Sequence, residues 1–214
     1  MKLLLLAAIL IVAAPISAQE TKSEIENQWV RVVRETQVPH AKTPIREHPP
    51  QVVIYLSSFQ ERIIGTSGKA VTIRRKYGDV AYFDAGTYAQ ENVSNLTIHD
   101  VVVELKSTSE RSKSMSVELD PVQLDPKHHR IRLENDRVRV IDTILVPHVK
   151  SPAHEHPHYV VVYLTELHTT QTVPDGRVVD NPRSAGEVAW REATKHVTEN
   201  VGTRTAEEIQ IELK

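Results

Sequence analysis

The sequence predicts an all-β protein built as two tandem β-modules, and two observations carry that prediction. The first is an internal repeat. Subtracting 108 from any position in residues 134–214 gives its partner in residues 26–106, without insertion or deletion, so Glu134-Asn135 falls on Glu26-Asn27 and Lys214 on Lys106. Repetition at a fixed offset governs every later reading of the fold. The second is a series of short β-branched segments separated by turn residues, the pattern of an all-β sandwich or barrel with helix as a minor component. Each half then serves as a control for the other: features that both keep read as scaffold, and features of one alone are candidates for function.

In chain order, residues 1–18 come first: Lys2, an apolar run from Leu3 to Ala14, then Pro15 and Ile16-Ser17-Ala18. This reads as a cleavable secretory signal, with a retained anchor as the alternative. The apolar run is short for a bilayer span, and no Cys follows it to carry a lipid. The expected location is secreted or periplasmic. In the first module, residues 19–106, VRVV at 30–33 alternates apolar with charged and predicts a half-buried strand, whereas QVVIYL from Gln51 predicts a fully buried one. Thr66-Ser67-Gly68 marks a hairpin turn, and strands follow at 70–74, 78–83 and 97–105. The polar stretch STSERSKS and two Asp-Pro steps place a linker at 107–129, where VELDPVQL is compatible with a short helix and His128-His129 reads as solvated. Residues 130–214 repeat the module: Arg130 to Leu133 as a first strand, then VRVI at 138–141, YVVVYL from Tyr159 and the turn Pro174-Asp175-Gly176. The two halves are expected to pair about a pseudo-two-fold axis, one sheet of each buried against the other.

Composition removes several classes of function. There is no Cys, so disulfide and thiolate chemistry are excluded and the core must hold the fold unaided. Without Lys2 the chain carries 25 Lys and Arg against 28 Asp and Glu, which gives no electrostatic reason to expect nucleic acid or an anionic membrane as partner. A homo-oligomer is compatible with the composition. Asn92-Val-Ser and Asn95-Leu-Thr fit the glycosylation pattern, which matters only in a eukaryotic secretory route.

At residues 148–164, His154-Glu155-His156 supplies a His-x-His ahead of a β-branched strand, and GEVAWREATKHVTEN at 186–200 carries His196 and Asn200. With these residues the chain resembles the cupin superfamily, small jelly-roll-like β-barrels whose first motif runs Gly, His-x-His, Glu and whose second runs Pro, Gly, His, Asn. The resemblance covers both modules and implies a bicupin, two such barrels in tandem. It departs from the family at His148, where the first Gly is expected, and at Val160 or Val161, where the metal-binding Glu should stand. Glu192 and Thr194 fall near the usual Pro and Gly, with the spacing to His196 one residue short. The four-ligand set is thereby reduced to three imidazoles, an arrangement similar to that of the thiol dioxygenases, which hold iron with three His.

Strand geometry alone points the same way. Residues i, i+2 and i+4 of a strand share a face, so His154, His156 and His158 converge unless Pro157 turns His158 aside. His196 from a distant strand completes a facial set with an open position, as catalytic metal sites have. The expected cofactor is a divalent ion: iron, zinc, manganese or nickel. His148, His158, Tyr159 and Arg191 are the candidate ligand-binding residues, and Lys195 or Glu192 could also orient an anionic small molecule. In the first module His48 matches His156 and His40 matches His148, but Arg46 stands at the place of His154 and Tyr88 at that of His196. Both candidate ligands differ together in one half, as expected if they serve one site that only the second half has; Arg46, His48 and Tyr88 read as a non-metal counterpart. Glu91-Asn92 and Glu199-Asn200 occur in both halves and read as hydrogen-bonding scaffold.

Two functions of different class remain. One is a metal-dependent enzyme, of oxygenase or related redox type because the Glu position of the first motif is apolar and a hydrolase would need a base there. The other is a non-catalytic bicupin that binds a sugar or carboxylate in the barrel mouth.

Overall fold

The structure is a computed structural model that describes residues 19–106 and 117–214; the N-terminal segment 1–18 and the polar stretch 107–116 lie outside the described residues. The first module contains β1 (Gln19–Glu26), β2 (Val30–Gln37), β3 (Arg46–His48), β4 (Gln51–Tyr55), β5 (Phe59–Gly65), β6 (Ala70–Arg75), β7 (Val80–Phe83), β8 (Gly86–Asn92) and β9 (Ile98–Leu105). A short helix α1 (Pro121–Leu124) follows. The second module contains β10 (His129–Glu134), β11 (Val138–Leu145), β12 (His154–His156), β13 (Tyr159–Tyr163), β14 (Leu167–Thr172), β15 (Val178–Arg183), β16 (Val188–Arg191), β17 (Thr194–Asn200) and β18 (Ala206–Leu213). From β11 onward nearly every strand boundary repeats at the offset of 108. Each module folds into a five-stranded sheet, β1-β2-β9-β4-β7 or β10-β11-β18-β13-β16, facing a four-stranded sheet, β3-β8-β5-β6 or β12-β17-β14-β15. All the pairings are antiparallel, which gives each half the two-sheet jelly roll that the resemblance implies.

Turn residues set the strand lengths. Gly68 and Gly176 take φ of +79° and +84° in the β5–β6 and β14–β15 hairpins, a conformation that costs Gly little. His40 and His148 take φ of +60° and +64°. His148 thus holds the left-handed backbone that the resemblance assigns to a Gly, and its partner in the first module does the same. Asn92 and Asn200, both fully buried, donate from Nδ2 to loop carbonyls: Gln37, Val38 and Leu96 in one module, Leu145 and Arg204 in the other. This is the scaffold role read from their presence in both halves. It also commits the Asn92 amide inside the fold, so that glycosylation pattern is not an accessible acceptor.

The two five-stranded sheets pack face to face. Val30, Val32, Val52, Ile54, Val101 and Val103 of the first module share one apolar cluster with Val138, Val140, Val160, Val162, Ile209 and Ile211 of the second. The contacts are reciprocal: Gly78 abuts Leu164 as Gly186 abuts Leu56, and β1 lies near β16 as β10 lies near β7. Such reciprocity is the signature of an isologous pairing, here within one chain. It also explains why β2 is buried on both faces, although the VRVV pattern suggests one wet face. Val32 points into the cluster between the barrels, and Val33 into the interior of its own barrel with Val53, Tyr55 and Phe59.

A candidate metal centre in the second barrel

His154 and His156 lie two residues apart on β12, and β17 places His196 directly opposite His154 in the register. All three are buried, and each offers a ring nitrogen such that the three atoms lie within 4.8 Å of one another, close enough to hold one metal ion. Ring centroids are 4.6 Å apart for His154–His196, 4.9 Å for His154–His156 and 5.4 Å for His156–His196. Among the described residues this is the one cluster of its kind.

The hydrogen bonds orient the ligand atoms. His156 donates from Nδ1 to Glu212 Oε1 at 2.7 Å, and His154 from Nδ1 to the Pro152 carbonyl at 2.9 Å. Each bond places the proton on Nδ1 and leaves Nε2 as a lone-pair donor, the arrangement by which metal-binding histidines are held. His156 Nε2 is buried and has no hydrogen-bond partner. An orphaned polar atom of this kind costs about 1–3 kcal/mol, which a coordinated cation would offset. Burial, reinforced by the neighbouring imidazoles, pushes His196 down to about 2 and His156 well below the usual histidine range. Burial also lowers His154. The imidazoles are therefore neutral at pH 7, as a metal requires.

Behind His156 runs a chain of ionic bonds. Glu212 Oε2 accepts from Arg139 Nε at 2.6 Å, and Arg139 Nη1 donates to Asp120 Oδ2 at 2.9 Å. Asp120 also caps α1, its Oδ1 accepting from Val122 N at 3.0 Å. The carbonyl of Leu119 accepts from Glu155 N at 2.9 Å, so the segment before α1 packs on the strand that carries two of the histidines. His129 corrects a sequence expectation: it is buried rather than solvated, with its ring 5.2 Å from that of His154, because Asp125 and α1 turn the chain into the barrel wall at β10. Burial, together with His154, brings His129 down to about 4.

The remaining candidates separate. Tyr159 is buried with its ring 4.8 Å from His156 and lines the site. Arg191, inward from β16, donates from Nη2 to Tyr163 Oη and to Asn181 Oδ1, both at 3.1 Å, inside the barrel. His158 does not join the cluster. Pro157 separates β12 from β13, and the His158 ring faces the other module, stacked on Trp29 at 4.5 Å and near Trp190 at 5.8 Å, with Glu192 2.8 Å from its Nδ1. His148 is exposed in its turn, and Lys195 reaches out to Glu155 at 3.7 Å, so neither these nor Glu192 lies in the barrel. In the first barrel Arg46 stands opposite Tyr88 and pairs with Glu35 at 3.1 Å, while His48 stacks on Tyr88 at 3.9 Å.

Sequence reasoning missed Glu208, Glu212 and Arg139. The signal lay in the alternation of β18, AEEIQIEL, which gives an apolar and a polar face without saying which of them meets solvent. In the structure its apolar side, Ile209 and Ile211, faces the other module, and Glu208, Gln210 and Glu212 face the barrel interior.

No family model matches the chain, and no curated protein does. Solved structures do. AerE from Microcystis aeruginosa aligns at a TM-score of 0.70 and 11% identity over 94% of this chain and 95% of its own. A cupin 2 conserved barrel domain protein from Leptotrichia buccalis aligns at 0.56 and 11% over 95% and 93%. An oxalate decarboxylase of Bacillus subtilis, described with Mn(II) centres, aligns at 0.59 and 13% over 94% of this chain and 78% of its own. Likeness at such identity speaks for architecture alone. With two reciprocal jelly-roll modules matched along nearly their whole length, the chain has the fold of the two-domain cupins.

Proposed function

We propose that the second barrel holds a divalent metal on His154, His156 and His196, and that the protein is a metal-dependent enzyme acting on a small anionic molecule. The observation that carries this reading is the convergence of three buried neutral imidazoles, one with an unpartnered Nε2. Three protein ligands leave coordination positions open, and a metal bound there would supply Lewis-acid or oxygen chemistry. Arg191, held in place by Tyr163 and Asn181, supplies the positive charge for an anionic substrate. Tyr159 closes one side of the site and keeps water from it.

Oxygen-using chemistry is the class favoured here, because both inward carboxylates of β18 are already engaged. Glu212 is held by His156 and Arg139, and Glu208 accepts from Gln210 at 2.7 Å. The segment 1–18 supports action in an exported compartment.

Metal analysis of the mature protein, purified without a histidine tag and reconstituted with iron, zinc and manganese in turn, tests the reading. About one equivalent of a divalent ion per chain is expected, lost in His154→Ala and His196→Ala. Less than about a tenth of an equivalent in the unsubstituted protein overturns it and favours a metal-free binding module.

A further inference from the structure

The repeat isolates one buried carboxyl in the first barrel that lacks the partners of its counterpart in the second. Under the offset of 108, Asp100 on β9 corresponds to Glu208 on β18, and each stands directly opposite a tyrosine of the neighbouring strand, Tyr55 or Tyr163. Glu208 accepts from Gln210 at 2.7 Å, and the charges of Arg191 and Arg183 both favour its ionised form. In the first barrel Val102 stands at the place of Gln210, and Phe83 at that of Arg191. Asp100 is only 6% exposed, its Oδ1 is buried without a hydrogen-bond partner, and among the described residues no ion pair reaches it. A buried carboxylate with neither donor nor cation is costly, so the group keeps its proton in the closed barrel.

The groups that face Asp100 oppose its ionisation. Glu35 on β2 stands directly opposite it, where like charges destabilise a sheet, and Thr143 holds that place in the second barrel. Glu61 enters from β5 in the facing sheet, on the same side of its strand as the core residue Phe59, and corresponds to Thr169. The inward cations serve other groups. Arg46 of β3 pairs with Glu35 at 3.1 Å. Arg75 of β6 lies over the Tyr55 ring at 5.2 Å, its Nε without a partner, and its charge favours ionised Glu61. His48 of β3 stacks on Tyr88 of β8; burial pushes His48 down and Tyr55 and Tyr88 up, so all three are neutral at about pH 7. β7 contributes only Ala81 and Phe83 to this interior. Burial, reinforced by Glu61 and Glu35, raises Asp100 well above the carboxylate range, and burial raises Glu61 to about 7.

We propose that Asp100 is a proton-held latch of the first barrel, which keeps β9 seated between β2 and β4 while it carries its proton and loosens that barrel when the proton leaves. Below the ordinary carboxylate range the folded and unfolded chains are both protonated there, and the stability is full. As pH rises the unfolded chain gives up its proton first, and stability is lost until Asp100 itself ionises. β9 also directs Val101 and Val103 into the cluster shared with the second barrel, so the loosening reaches the contact between the two.

Thermal melting of the whole mature protein at a series of pH values from about 5 to about 9, the unsubstituted chain against Asp100→Asn, tests the proposal. The amide cannot ionise, so the variant should gain on the unsubstituted protein as pH rises, by roughly 3 °C or more across the range. Any pH effect of the metal centre is common to both chains and cancels in the difference. A residue with a packing role alone would shift melting by the same amount at every pH, and that constant difference overturns the proposal. Should Asp100→Asn fail to fold, carboxyl-carbon magnetic resonance of the unsubstituted protein labelled at aspartate decides. One aspartate that retains its proton at about pH 7 is expected, and ionisation of every aspartate there overturns the proposal.

Discussion

At the scale of single residues, His156 is the most constrained side chain in the second barrel. One ring nitrogen is fixed by Glu212, and the other is left without a partner in a buried site. On the proposed reading, Glu212 would act on a metal through His156. Glu212→Gln keeps the shape but removes the charge that holds the imidazole and Arg139, and divalent-metal affinity should fall by about 10- to 100-fold. Glu104→Gln is the control, since Glu104 makes the same kind of bond to Arg31 at 2.9 Å in the first barrel and should leave metal affinity unchanged. Equal loss in both variants would show a general loss of stability instead of a positioning role. The clustering of the three histidines was legible in the sequence because, of a His-x-His and a distant His in one repeat, two members, His154 and His196, are replaced together in the other. Their support was not, because Asp120, Arg139 and Glu212 come from three separate elements with no shared motif. His158 leaves the cluster by the exception the sequence named, because strand periodicity holds only while the ladder continues and Pro157 ends it.

At the scale of elements, strands were read well and turns decided how they pack. Gly68 and Gly78 have nearly the same positive φ, +79° and +80°, and both pay the same backbone penalty on substitution, about 1 kcal/mol. They differ in surroundings: a Cβ at Gly68 meets nothing within 4 Å, whereas one at Gly78 lies 3.3 Å from Leu164 Cδ1 across the interface. Thermal denaturation should therefore show Gly78→Ala to be less stable than Gly68→Ala by roughly a further 1 kcal/mol. Identical melting of the two variants would mean that the interface yields at no cost. The same interface misleads a reading of amphipathic strands. In β18 and β2 the apolar side meets the other barrel, so the opposite side lines the interior of the strand's own barrel rather than meeting solvent. Alternation gives the two faces of a strand but not which of them is outside.

At the scale of the molecule, the two barrels share one apolar cluster, so neither keeps its sheet dry without the other. Ile209→Ala removes a fully buried side chain at the centre of that cluster and should cost about 2–5 kcal/mol. Hydrogen exchange should then show amides of β4 and β13 losing protection together. Loss confined to β13 would show that the halves unfold independently. The duplication and the paired fold were legible from the offset alone; the acidic interior of the first barrel was not, because Glu35, Glu61 and Asp100 meet only once the two sheets face each other.

The bond from Arg139 to Asp120 bears on where the chain can be divided. Asp120 and His129 lie ahead of the span that the repeat marks out, yet one anchors the support of His156 and the other lies beside His154. A fragment cut to begin at Arg130 would retain all three clustered histidines and still lose the brace behind them. The copied unit and the working unit have different edges, and a gene trimmed to the former would yield a barrel with its three histidines present and poorly aimed.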